Sequence, residues 1–167
     1  MILGLWLAAF TKLHVAISLV AILSGLVTVL AMIGSRNLRV GAAVFLATSV
    51  LTSLTGFFFH APGFGPPQVV GVISLVAVAA AIWARYVRRM AGVWRRVFVV
   101  SAVAALYLNG FVGVVQAFQK VPFLQALAPT QSEPPFLVAQ VVVLGAFIVL
   151  GIVAGRKFHP GPKASFA

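Results

Sequence analysis

At 167 residues, with 62% hydrophobic and only 8% charged residues, the chain carries too little polar surface to cover a water-soluble globule. Its formal charge of +11 comes from 12 Lys and Arg against one acid. In a soluble protein that balance would suggest nucleic acid, but here the basic residues cluster between apolar runs, so membrane topology accounts for them and no nucleic-acid partner is expected. The absence of cysteine excludes disulfides, thiol redox chemistry and thiolate metal sites.

Taken in order, residues 1–13 are apolar apart from Thr11 and Lys12 and lack the basic start and cleavage site of a signal peptide. They are expected to be retained as an outer extension or an interfacial helix. Residues 14–34 are long enough to cross a hydrocarbon core of about 30 Å as a helix, which gives span one. The basic turn from Ser35 to Arg39 leads into span two at residues 40–60. The motif APGFGPP at 61–67 cannot continue a helix and places Pro66 and Pro67 to start span three, at about 68–84. Residues 85–96 then hold Arg85, Arg88, Arg89, Arg95 and Arg96, the strongest topogenic signal in the chain. Span four is read at 97–119 and span five at 136–155. Between them lies a loop in which 121–128 is apolar enough for a short interfacial helix. The tail at 156–167 is basic and expected to be mobile.

Ten of the 12 basic residues fall in alternate connections, with Lys12 and Lys120 on the other side. The positive-inside rule therefore puts the N-terminus outside and the C-terminus in the cytoplasm. The prolines agree, since all fall outside the spans, where a missing amide donor does least harm. The expected fold is all-α, an integral membrane bundle of five transmembrane helices.

Polar atoms inside lipid need partners and so mark the faces that look inward. His14, Ser18, Gly25 and Thr28 share one face of span one at helical spacing. Ser49, Ser53, Gly56 and His60 share a face of span two, and Asn109, Gly113, Gln116 and Lys120 one of span four. Such stripes serve either as packing seams or as the wall of a pocket. The pocket reading gathers His14, Ser18, Ser53, His60, Asn109, Gln116, Lys120 and Glu133 at an outward opening. His14 and His60, on neighbouring antiparallel helices near one surface, also offer the geometry of a single b-type haem, with Lys12 or Lys120 for its propionates. The plainer alternative is two helix-end histidines bonded to water or a loop carbonyl.

Glu133 is read either as part of a helix start, with Ser132 as the cap, or as a partner for Lys120 or His60. The arginines Arg85, Arg88, Arg89, Arg95 and Arg96 either set topology alone or also contact anionic lipid headgroups. Gly151 and Gly155 mark close approach, within the bundle or between protomers of a homo-oligomer or larger membrane complex. His159 has no neighbouring ligands, so no metal site is expected. Zinc-hydrolase, phosphate-loop and nucleophile-elbow motifs are absent, so no catalytic residue is assigned. The scarcity of acids argues against a carboxylate-ring channel and a proton-driven transporter.

The stretches LTSLTGF (51–57), WRRVFVV (94–100), YLNGF (107–111) and KVPFLQALAPTQSEPPF (120–136) resemble a group of small, uncharacterised bacterial inner-membrane proteins. The resemblance implies a multi-pass protein of the bacterial inner membrane and transfers no active site. A fainter similarity to b-type membrane cytochromes lies in histidines near the ends of consecutive spans, and one such pair allows at most one haem. The function expected is non-enzymatic, a polar pocket for a small amphipathic ligand, a lipid or a partner subunit. The alternatives are a haem- or quinone-linked electron-transfer subunit and a structural accessory subunit.

Overall fold

Backbone N–H and C=O groups cannot be left bare in hydrocarbon, so each long apolar run closes its hydrogen bonds within a helix. The computed structural model describes residues 6–36, 38–59 and 65–159. Expectations for residues 1–5, for His60 and the turn after it, and for the tail from residue 160 onward lie outside the described residues. In chain order the helices are α1 (Leu7–Ile33), α2 (Arg39–Gly56), α3 (Pro66–Ile82), α4 (Val93–Lys120), α5 (Pro122–Leu127) and α6 (Pro134–Lys157). A π-helical turn, Trp83–Val87, extends α3. Five of these segments, all except α5, are long and apolar enough to cross a membrane, and the described residues form no strand.

Most helices run past the apolar segments on which they are built, whereas α2 ends at Gly56, short of the expected 60, with residues 57–59 in a turn. Lys12 lies within α1, and Arg95 and Arg96 within the first turns of α4. A charge ends a hydropathy window but not a helix, because Lys and Arg are good helix formers whose stems carry the charge out to headgroups. Residues 7–13 accordingly continue the first helix. Proline occupies the first helical position of α3, α5 and α6, where its missing N–H costs nothing. At the start of α3 the Gly65 N–H donates to Gln68 Oε1 at 3.0 Å, the half of a capping box that a glycine can make. The turn into α4 is made by Arg89, Met90 and Gly92, with φ of 51°, 55° and 55°.

Successive spans run antiparallel, and α4 is central, packed against α1, α2, α3 and α6. The main core is polarised toward the arginine-rich end, where Met32, Phe45, Leu46, Val78, Phe98 and Leu106 interlock. Gly25 permits this, because a Cβ there would stand 2.6 Å from Leu106 Cδ1 and 2.8 Å from the Phe45 ring. Toward the other end a smaller cluster of Phe118, Ala128 and Phe136 holds α4, its following loop and α6 together. On α6 only Phe136 and Ala154 are buried, and its exposed row of Leu137, Val141, Leu144 and Ile148 is apolar, as lipid contact requires.

The first residues of the tail are docked, contrary to the mobility expected of them. Phe158 is buried against Phe98, with ring centroids 6.4 Å apart, and its carbonyl accepts from Arg95 Nη1. The His159 N–H donates to Ser35 Oγ at 3.1 Å. The apolar Phe158 inside a basic segment supplies the reason, since its ring is removed from solvent only by returning to the bundle.

Candidate functional site

The polar stripe of α4 divides at about its middle. Asn109 Nδ2 donates to Ser49 Oγ at 3.1 Å, and Ser53 Oγ donates to Ser74 Oγ at 3.1 Å, all four residues being buried. These bonds tie α2 to α4 and α2 to α3, so Ser53 and Asn109 act as interhelical glue. Ser49 and Ser74 are the partners that spacing alone leaves unassigned.

Away from that seam the polar groups are less fully used. Thr52, on the Ser49 face one turn along α2, has a buried hydroxyl oxygen with no hydrogen-bonding partner. His14 Nδ1 lies 2.7 Å from Thr55 Oγ1, and that hydroxyl donates its single proton to Leu51 O at 2.6 Å. Thr55 therefore accepts from His14 Nδ1–H, which leaves the Nε2 lone pair of the neutral ring unused among the described residues. The ring stands edge-on to Phe59 at 5.1 Å, in a group with Phe10 and Phe58. Ser18 Oγ donates back to His14 O at 2.8 Å and so presents no free proton.

Gln116 and Lys120 lie on the α4 face of Asn109 and Gly113, and both are exposed. That face looks toward α1, since a Cβ on Gly113 would come 3.6 Å from Ile22 Cδ1. The Lys120 ammonium is within Coulombic range of the His14 ring. The structure thus brings His14, Gln116 and Lys120 to one end of the α1, α2 and α4 group, beside an aromatic cluster. His60, the other half of the proposed haem pair, lies outside the described residues.

Glu133 stands at the start of α6, as the first of its two expected parts had it. It occupies the N-cap position of α6 itself, where Ser132 was expected, and its carboxylate folds back on the preceding turn. Thr130 N–H and Oγ1 donate to Oε1 at 3.1 and 2.8 Å, and Ser132 N–H to Oε2 at 3.1 Å. Desolvation opposes ionisation, but these donors prevail and hold the carboxyl below the usual range. The same turn is tied to α4, because Gln131 Nε2 donates to Val115 O at 3.0 Å.

The arginines at the opposite end divide as well. Arg85 does not reach for headgroups. It is buried, with its guanidinium 5.2 Å from the Phe98 ring centroid and 5.7 Å from that of Tyr86. The π-helical turn carries it inward, and the ring faces offset part of the cost of burying charge. Arg88 stacks over Trp94 at 4.9 Å. Gly151 meets Val103 of its own chain, with a Cβ-to-Cγ1 approach of 3.4 Å, whereas a Cβ on Gly155 would find nothing within 4 Å. Among the described residues no three His, Asp or Glu side chains gather as a metal site. No protein-family description, curated protein or solved structure matches this chain.

Proposed function

We propose that this five-span membrane protein is a non-enzymatic component of a bacterial inner membrane that holds a small amphipathic molecule where His14, Gln116 and Lys120 converge. The basic connections orient it with that end outside and the arginine-rich end in the cytoplasm. The observation that carries the reading is the contrast along α4. Asn109 is buried and hydrogen-bonded, while Gln116 and Lys120 on the same face are exposed beside a half-buried imidazole with an unused Nε2. The buried, unpartnered Thr52 hydroxyl on α2 supports a polar interior that a guest or water completes. Lys120 favours an anionic or strongly accepting headgroup, and the Phe10, Phe58 and Phe59 rings favour an apolar body.

Native mass spectrometry of the full chain in mild detergent tests this. A copurified small-molecule adduct is expected in the wild type, with most of it lost in Lys120→Ala and in Gln116→Leu. Adducts unchanged in both variants would sink the proposal, and a stable polypeptide partner without any small molecule would favour an accessory subunit. The free Nε2 of His14 lends some support to a haem- or quinone-linked role. A Soret band that disappears in His14→Ala would move the assignment there.

A further inference from the structure

At the arginine-rich end a cleft of about 350 Å³ opens between α4 and α6. Arg95, Arg96 and Val100 form its α4 wall, and Gly151, Gly155 and Arg156 its α6 wall, with Ile152 and His159 completing it. No Asp or Glu side chain can answer these charges, because the single acid, Glu133, is bonded into its own turn before α6, at the other end of that helix. Arg95 and Arg96 also sit in the first turn of α4, which contains no acid. That is the positive end of the helix dipole, where cations are disfavoured and an anion is welcome.

The roles within the cleft differ. Arg95 is engaged with the Phe158 carbonyl and fixes the docked tail, whereas Arg96 and Arg156 are exposed on facing helices. Next to these guanidinium groups the wall turns apolar through Val100 and Ile152, and the missing side chain of Gly155 leaves open space beside them.

We propose that this cleft binds an anionic glycerophospholipid, with its phosphate between Arg96 and Arg156 and an acyl chain along Val100, Ile152 and Gly155. Guanidinium groups suit phosphate oxygens in number and geometry. A free phosphate would leave the apolar wall unfilled, and a second copy of the chain would bring like charges together.

The test titrates the full chain in mild non-ionic detergent with phosphatidylglycerol, phosphatidylcholine and inorganic phosphate, reading bound lipid by native mass spectrometry. Phosphatidylglycerol is expected to bind at least about tenfold more tightly than phosphatidylcholine, and less tightly as salt rises. The double variant Arg96→Gln/Arg156→Gln is expected to weaken phosphatidylglycerol binding about 25-fold, from about a factor of five per basic residue. Gly155→Leu, which has room for its side chain, is expected to weaken the lipid and leave the response to phosphate unchanged. Equal binding of the two lipids overturns the proposal. So does displacement of phosphatidylglycerol by millimolar inorganic phosphate, which would leave a simple anion site. Loss of self-association in Gly155→Leu with lipid binding intact would assign the cleft to a second copy and overturn it equally.

Discussion

The two halves of the bundle are built from the same kinds of residue and do different things with them. At the arginine-rich half, helices approach closely around Gly25 and large side chains interlock, bordered at mid-bundle by the Asn109–Ser49 pair. At the opposite half α4 carries half-buried and exposed residues for most of its last three turns, and the exposed Lys120 stands within Coulombic range of an imidazole. A polar residue in a membrane helix is therefore not by itself a sign of a site. What distinguishes glue from lining is whether neighbouring helices use up the polar atoms, as Ser49 does for Asn109, or leave one over, as Thr55 leaves His14 Nε2.

The sharpest way to break this contrast is to overfill the tight half. Gly25→Leu forces new atoms into the Leu106 and Phe45 side chains and is expected to cost about 3 kcal/mol in detergent unfolding. Gly145→Leu, where a Cβ meets nothing within 4 Å, should change stability by less than about 0.5 kcal/mol. Similar losses in both would show the two environments to be equivalent. Next in size, Asn109→Leu strands the buried Ser49 hydroxyl and should cost about 1 kcal/mol, while Gln116→Leu should leave the unfolding midpoint unchanged. Parallel destabilisation by the two variants would erase the division of the α4 stripe.

The smallest expected effect concerns the turn before α6. The folded Glu133 carboxyl titrates below its unfolded value, so its contribution is complete above the unfolded pKa and is lost as falling pH protonates the folded group. Amide exchange over residues 128–134 should accelerate on acidification below the ordinary carboxylate range. In Glu133→Gln it should be fast throughout and insensitive to that change. A pH response that survives in Glu133→Gln would place the titrating group elsewhere.

Much of the architecture was legible because the bilayer imposes strict terms. Uncharged apolar length specified five spans, and prolines marked where two of them begin. The helix ends at Leu7 and Val93 were harder to read, because Lys12, Arg95 and Arg96 interrupt hydropathy without interrupting helical hydrogen bonding. The candidate site was legible only as a stripe. Asn109 and Gln116 have the same chemistry and lie on the same face, and nothing local distinguishes the one that meets Ser49 from the one left exposed. Arg85 was misplaced for a related reason, since its inward turn depends on the π-helical geometry and on the Phe98 ring, which lies 13 positions further along the chain.

The bonds between Ser35 and His159 join positions 124 apart in sequence. During synthesis the first hairpin must therefore wait for the chain as far as His159 to leave the ribosome before its turn is sealed. Until then Phe98 lacks its cover from Phe158. An arrested nascent chain would expose that aromatic face to quality-control proteases and insertion factors.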